Sequence, residues 1–391
     1  MDKVRVGIVG IGNMGSAHAA CIGGGNIRGM VLAAVCDVRQ ARLELCRERF
    51  ENVALFTDYR EMISSGLIDA LIIAVPHRLH AKIAAEALEA GLHVLTEKPE
   101  DVSVTAAKRL NETARASGRV FAIMFNQRTN PLFQKAREIV AGGQLGKLKR
   151  SVWIVTNWYR TQYYYDSGDW RATWAGEGGG VLLNQAPHNL DLWQWICGMP
   201  SRITAFCDVA KYHNIEVEDD VTIYAVYPDG ATGVFITTTG EYPGTNRLEI
   251  SGDLGKLVLE NGTLKWWKLS EPERSFCYTL DSNSANVDTE ITEIVQEDSG
   301  AGHAGILQNF ANAILHGEAL ISPGYEGIRE LTISNAAYLS QWKGNAGIDI
   351  PFDGEEFDRL LEERAAQSKT TEKTGSGSAS TGYSERWQVQ W

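Results

Sequence analysis

The sequence predicts an α/β protein of two domains: a parallel sheet wrapped by helices over residues 1–125, then an α+β domain with a large, mostly antiparallel open sheet over 126–352. Three observations point there. Short β-branched runs alternate with amphipathic stretches through the first domain, the pattern of parallel strands joined by helical crossovers. From Arg202 to Trp267 the pattern changes to alternating runs broken by turns such as Pro228-Asp229-Gly230, as in an antiparallel sheet. The 391 residues also exceed what one hydrophobic core ordinarily organises.

In chain order, strands are expected at 4–9, 30–36, 54–56, 70–74, 93–96 and 120–125, with helices at 16–22, 40–50, 59–64, 79–90 and 104–117 between them. An open sheet of this kind binds ligands beyond the carboxyl ends of its strands, so the loops there carry most of the information. A helix at 131–141 and a strand at 149–157 open the second domain. Further strands are expected near 222–227, 232–239 and 247–251, and a helical stretch over 303–340, where Phe310, Ile314, Leu331 and Ala337 recur at helical spacing. Residues 353–391 read as a C-terminal helix followed by a flexible tail rich in Thr, Ser, Gly, Glu and Lys.

Composition excludes several classes of function. A formal net charge of −12 argues against a broad affinity for nucleic acid. No apolar run approaches the roughly 20 residues that span a bilayer. Met1-Asp2-Lys3 passes directly into the first strand and leaves no room for a cleavable leader, so a cytoplasmic location is expected. The six cysteines are scattered without CxxC spacing, which fits reduced thiols. No His, Cys and carboxylate cluster has metal-ligand spacing, and no metal is expected.

Gly10-Ile11-Gly12-Asn13-Met14-Gly15 follows the first strand and opens a helix. In that context GxGxxG is a dinucleotide fingerprint: the first glycine makes the tight turn, the second admits a pyrophosphate, and the third lets helix and strand pack. The first domain is therefore read as a Rossmann domain. Asp37, 22 residues beyond Gly15, is placed at the end of the second strand to accept hydrogen bonds from a ribose diol. A carboxylate there favours NAD; Arg39, two residues on, keeps NADP as the alternative. Val38 lies between them and is assigned to the same contact.

Several further pieces occur in order. Val75-Pro76-His77 with His80 follows the fourth strand, and Glu97-Lys98-Pro99 follows the fifth. Gly178-Gly179-Gly180 precedes Asn184-Gln185-Ala186-Pro187-His188-Asn189-Leu190-Asp191. With the glycine fingerprint, these pieces make residues 4–352 resemble the Gfo/Idh/MocA family of sugar and inositol oxidoreductases. The resemblance implies Lys98 and His188 as catalytic residues, with Lys98 beside the developing alkoxide and His188 taking the proton. It places Val75, Pro76, His77, His80, Glu97, Lys98, Asn126, Trp170 and Arg171 on the cofactor side. Many relatives carry Asp at the position of Asn184; an amide can orient a hydroxyl but accepts no proton at neutral pH. Four residues apart on a helix, Asn184 and His188 share one face. Asp191 is read either as orienting His188 or as a helix-surface residue.

Residues 157–171 are rich in aromatics and hydrogen-bonding side chains, the mixture that suits a carbohydrate pocket and equally a subunit interface. Trp158, Tyr163 and Tyr165 are assigned to substrate, on the expectation that Tyr163 to Tyr165 alternate in an extended chain. Arg128 is assigned to substrate with a domain-linking salt bridge as the alternative, and His303 is read as a loop contact at a helix start with a substrate ligand as the alternative. The expected function is NAD-dependent hydride transfer to or from a secondary alcohol of a sugar, glycoside or cyclitol. Two alternatives stand beside it: a glycosidase or lyase that retains NAD and oxidises the ring transiently, and a non-catalytic NAD-binding regulator. A homodimer or homotetramer is expected.

Overall fold

The computed structural model describes residues 2–168, 170–284 and 287–368; the tail expected beyond Ser368 lies outside them. The first sheet is built from β1 (Val4–Val9), β2 (Met30–Cys36), β3 (Ala54–Phe56), β4 (Ala70–Ile73), β5 (His93–Thr96) and β6 (Phe121–Ile123). Their order is β3-β2-β1-β4-β5-β6 and every pairing is parallel. Order reverses between β1 and β4, and that switch point is where an open α/β sheet leaves a crevice. Val6, Ile8, Ala70, Leu71, Ile72 and Ile73 are fully buried, as expected for strands covered by helices on both faces.

The helices begin and end on local signals. Ser103 Oγ accepts hydrogen bonds from the Thr105 and Ala106 amides at the start of the helix Val104–Ser117, which stops at Gly118 with φ +64°. Asn130 Oδ1 accepts from Leu132 N at 2.9 Å at the start of the helix Pro131–Ala141, with proline in its first turn.

The second sheet contains β7 (Leu148–Val155), β8 (Arg202–Val209), β9 (Glu218–Val226), β10 (Thr232–Thr238), β11 (Asn246–Gly252), β12 (Gly255–Glu260), β13 (Thr263–Leu269), β14 (Thr289–Val295) and β15 (Ile348–Asp349). Its order is β14-β13-β12-β11-β7-β10-β9-β8-β15, and β7 with β10 is its parallel pair. One face packs Trp153, Phe235 and Ile223 against the helices Pro187–Cys197 and Gly327–Trp342, with Trp193 Nε1 donating to Ser151 Oγ at 2.9 Å. The opposite face leaves Phe206 and Tyr224 exposed.

The expected helical stretch at 303–340 is two helices, and they serve different cores. Gly302–His316 returns to the first sheet, where Ile306, Leu307, Phe310 and Ala311 pack with Val6, Ile8 and Ala122. Ile123 N donates to Ser322 O at 3.1 Å and continues this seam. Periodicity shows that a segment is helical but not which core its apolar face joins. The last helix among the described residues, Gly354–Ala365, buries Phe357 and Leu361.

Arg128 ties the two domains together from the short turn after β6. Its Nε and Nη2 donate to both carboxylate oxygens of Asp191 at 2.8 and 2.6 Å, and its Nη1 meets Ile321 O and the Glu326 carboxylate. Only 1% of the residue is exposed. The expected substrate contact for Arg128 is thereby corrected: the fork is fully committed to the domain seam. Asp191 is equally withdrawn, paired with Arg128 rather than with His188. Removing one partner of a buried, hydrogen-bonded ion pair strands the other, at a cost of about 3–5 kcal/mol. Arg128→Ala is expected to lose stability of that order in urea unfolding; a loss under about 1 kcal/mol would refute the structural role.

Candidate active site

The crevice at the β1–β4 switch is shaped by the fingerprint glycines. Gly10 has φ +87°, and a Cβ there would sit 2.4 Å from Ala74 O. A Cβ on Gly15 would lie 1.7 Å from Gly10 O, whereas one on Gly12 meets nothing within 4 Å. Turn and packing are thus closed to side chains, and the approach over Gly12 is open for a phosphate at the first turn of the helix Asn13–Gly23. Asn13 and Met14 form that first turn, which holds no acidic residue.

Asp37 is buried at the end of β2. It accepts from Ile11 N at 2.7 Å, Arg39 N at 2.8 Å and Arg42 Nη1 at 3.0 Å. Arg42 was missed in the sequence: it stands one helical turn beyond Arg39, while Val38 and Arg39 point their side chains to solvent. Val75 and Pro76 form the opposite lip after β4. Beyond β6, Asn126 is buried, and its Oδ1 has no hydrogen-bond partner among the described residues, a site for a ligand donor to complete. Open space above Gly12, the Asp37 carboxylate and the orphaned Asn126 oxygen together fit a dinucleotide.

Glu97-Lys98-Pro99 follows β5. Glu97 Oε1 lies 2.8 Å from His18 Nε2. Burial pushes this carboxyl up, but the His18 hydrogen bond and the charges of His18, His303 and Lys98 outweigh it and bring it down to about 2. Lys98 is half-buried and donates from Nζ to Asn184 O at 2.7 Å, a contact between the two domains. Burial lowers its ammonium, against Glu97, Glu330 and Glu177. His188, also half-buried, packs against Phe125 with ring centroids 6.3 Å apart. Burial, then the charges of Lys98 and His303, push its imidazole well below the usual histidine value.

The two histidines assigned to the cofactor play different parts. His80 is buried with Nδ1 2.7 Å from Pro99 O and Nε2 2.8 Å from Val75 O. Each ring nitrogen faces a backbone carbonyl, and the buried ring, whose pKa burial lowers, donates its one N–H to one of the two, so the expected cofactor contact is corrected: His80 braces the loop that carries Lys98. His77 Nδ1 faces Glu177 O at 3.2 Å, and its ring meets the edge of Trp170 at 5.4 Å. Trp170 and Arg171 are therefore on the crevice side, with the Arg171 guanidinium 4.8 Å from the Trp170 ring.

Among the aromatics the pocket residue is Tyr164. Its hydroxyl donates to Asn184 Oδ1 at 3.2 Å and accepts from Arg171 Nη1 at 2.7 Å and Gln185 Nε2 at 3.1 Å. Tyr163 is 73% exposed, and Tyr165 is buried with its hydroxyl on Thr239. The expectation for those two fails because Gln162–Asp166 is a helical turn, where neighbours step about 100° rather than alternate. Trp158 is also corrected: it is buried, with Nε1 donating to Asn189 Oδ1. His303, read as a loop contact, belongs at the site. Its ring is 6.1 Å from that of His18, and burial, opposed by Glu97 and helped by His18 and Lys98, lowers it to about 4.

The Gly178–Gly180 run delivers Asn184 and His188 to this place. Glu218, at the start of β9, accepts from Gly180 N, from Leu182 N at 3.0 Å and from Tyr338 Oη at 2.8 Å. It thereby satisfies the amides that open the turn Val181–Asn184. A Cβ on Gly180 would meet Glu218 O at 2.0 Å, which explains a glycine at that position. Among the described residues no group of three or more His, Cys, Asp or Glu is arranged to hold a metal ion, and no helix is long and apolar enough to cross a membrane.

A dinucleotide crevice facing a lysine, a histidine and an amide defines an NAD-binding oxidoreductase. Residues 4–125 match the oxidoreductase family with an NAD-binding Rossmann fold, and residues 133–258 match the GFO/IDH/MocA C-terminal domain. The chain belongs to the Gfo/Idh/MocA family. It is 24% identical over 264 residues to myo-inositol 2-dehydrogenase of Thermotoga maritima, covering 66% of this chain and 75% of that protein. It is 30% identical over 203 residues to D-glucoside 3-dehydrogenase of Escherichia coli, covering 51% and 56%. The WlbA dehydrogenase of Chromobacterium violaceum, solved with NADH and UDP-GlcNAcA, superposes with a TM-score of 0.78 at 27% identity, covering 90% of this chain and 97% of that one.

Asp37→Ala removes the acceptor placed for the ribose and leaves Arg42 without its carboxylate. It is expected to weaken NAD at least about tenfold in calorimetric titration, while NADP loses less. An unchanged NAD affinity would remove Asp37 from the cofactor site.

Proposed function

We propose that the protein transfers a hydride between nicotinamide and a secondary alcohol of a sugar, glycoside or cyclitol, with Lys98 and His188 handling the proton. The observation that carries this reading is the meeting of Lys98 Nζ, from the first domain, with Asn184 O, from the second, four residues before His188. The single helix expected for Asn184 and His188 is corrected, since Val181–Asn184 ends at Asn184 and His188 belongs to the separate helix Pro187–Cys197. The relatives named above act on an inositol and a glucoside, which supports the substrate class.

Bound NAD supplies the hydride acceptor. The residues of the chain do the rest. Lys98 holds a hydrogen bond to the alcohol oxygen and stabilises it as negative charge develops. His188 Nδ1 is buried, which leaves Nε2 as the ring atom that takes the hydroxyl proton. Because His188 is held well below its ordinary value of 6.5, it is neutral and ready to accept a proton throughout the neutral range. Asn184 and Tyr164 orient the remaining hydroxyls, and Arg171 with Trp170 closes the crevice above. The site thus recognises a polyhydroxylated ring by directed hydrogen bonds beside a few aromatic faces.

The test is NADH formation from NAD with myo-inositol, scyllo-inositol, levoglucosan and methyl glucosides. Lys98→Ala and His188→Asn are each expected to lower kcat/KM by about 10²–10⁴ with NAD affinity retained. The acid limb of the wild-type profile should lie below 6.5, since protonating His188 removes the acceptor. Glycoside cleavage without net NADH would overturn the reading in favour of transient oxidation and elimination, and NAD binding without any turnover would favour a regulator.

The same reading makes the protein a homodimer or homotetramer of the cytoplasm. The uncovered face of the second sheet, with Phe206 and Tyr224 exposed, supports the assembly, and six cysteines scattered without CxxC spacing support the location. Light scattering is expected to give two or four copies; a monomer at micromolar concentration would contradict it.

A further inference from the structure

Asn184 has three neighbours, and one of them is a carboxylate that no motif points to. Its backbone oxygen accepts from Lys98 Nζ, its Oδ1 accepts from Tyr164 Oη at 3.2 Å, and its Nδ2 donates to Glu177 Oε1. Glu177 lies seven residues upstream, immediately before the glycine run, and is 2% exposed.

An ionised carboxylate only accepts hydrogen bonds, so it selects the nitrogen end of the amide and turns the oxygen end the other way. The hydrogen-bond chain then has one direction. Arg171 and Gln185 donate to the Tyr164 hydroxyl, Tyr164 donates to Asn184 Oδ1, and Asn184 donates to Glu177. Glu177 Oε2 accepts from Ala172 N at 2.6 Å, so both of its oxygens face donors. A glutamine in its place would have to turn an N–H against one of them. The backbone oxygen of Glu177 faces His77, which packs against Trp170, so the same residue reaches the cofactor side.

We propose that Glu177 is a positioning residue of the reaction centre: its carboxylate fixes which end of the Asn184 amide faces the alcohol, and places a negative charge behind Lys98. This rests on the reading of Lys98, His188 and Asn184 as the alcohol site. Burial raises the Glu177 carboxyl, and Arg171, the Ala172 amide, the Asn184 amide and Lys98 oppose that. Arg171 and Lys98 are the cations facing it, with His77 and Tyr165 as the titratable groups packed nearby.

The test is a reciprocal exchange. In Asn184→Asp two carboxyl groups stand at hydrogen-bond distance and share one proton. In Glu177→Gln the Ala172 and Asn184 donors compete for one amide oxygen. In the double variant the introduced glutamine donates to the introduced aspartate and accepts from Ala172, the aspartate accepts from Tyr164, and every bond is restored with the amide and the carboxylate exchanged. With whichever of myo-inositol, levoglucosan or methyl glucoside the wild type oxidises, each single variant is expected to lose about tenfold or more in kcat with little change in KM. The double variant should recover to within about threefold.

Thermal unfolding without substrate gives the second arm. One carboxyl of the Asn184→Asp pair is raised in the folded state, so stability is kept at low pH and lost as pH rises above the ordinary carboxylate range. Asn184→Asp should therefore lose several degrees more than wild type between about pH 5 and about pH 8, and the double variant should not. A fully active Glu177→Gln, failure of the double variant to recover, or no extra pH dependence in Asn184→Asp would each overturn the proposal. If the wild type oxidises no alcohol, the alcohol reading fails, and the unfolding arm still decides whether Glu177 sets the amide.

Discussion

The hydrogen bond from Lys98 Nζ to the backbone oxygen of Asn184 joins a residue fixed by the first sheet to one fixed by the second. For the two ends to meet, β5 must stop at Thr96, and the glycine run must deliver the turn Val181–Asn184 at a matching height. Each end has its own brace. His80 is wedged between the carbonyls of Pro99 and Val75, donating to one of them, and Glu218 holds the amides of Gly180 and Leu182. The two ends are therefore placed by side chains that bind backbone groups.

This placement carries an electrostatic cost. Glu97, Glu177, Glu218, Asp191 and Glu330 are all buried within or behind the site. Most are answered by specific partners: His18 for Glu97, Arg128 for Asp191, and backbone amides for Glu177 and Glu218. Glu330 has no hydrogen-bond partner on either oxygen among the described residues, and burial together with Asp191 drives its carboxyl well above the usual range. Buried groups of this kind are weak sources of stability and common companions of a functional site. The apolar cores on either side of the seam supply the stability that the site itself does not.

What the sequence disclosed and what it concealed follows the range of the interactions. Gly10, Gly12, Gly15 and Asp37 obey local rules of turn and strand end, so each was visible in one dimension, whereas Lys98, two residues past β5, was singled out by the family resemblance. Arg128 was ambiguous because a guanidinium serves a carboxylate and a sugar equally well; only the position of Asp191, 63 residues later, decides it. Tyr164 was passed over for Tyr163 and Tyr165 because five residues of helix cannot be told from extended chain by composition. His18, Arg42 and Glu177 left no local signal, since their roles are set by partners far along the chain or by the direction of one side chain, and His303, at a helix start, could be read either as a loop contact or as a ligand. The separation of Gly302–His316 from Gly327–Trp342 into different cores was hidden for the same reason.

The central claim is that one substrate hydroxyl is held between Lys98 and His188. A crystal structure with NADH and a bound inositol or glucoside tests it most directly. A single hydroxyl oxygen is expected within hydrogen-bond distance of both Lys98 Nζ and His188 Nε2, its carbon facing the nicotinamide and a neighbouring hydroxyl on Asn184. A ligand held by Tyr163, Tyr165 or Arg128, with Lys98 still bound only to the Asn184 backbone, would contradict it.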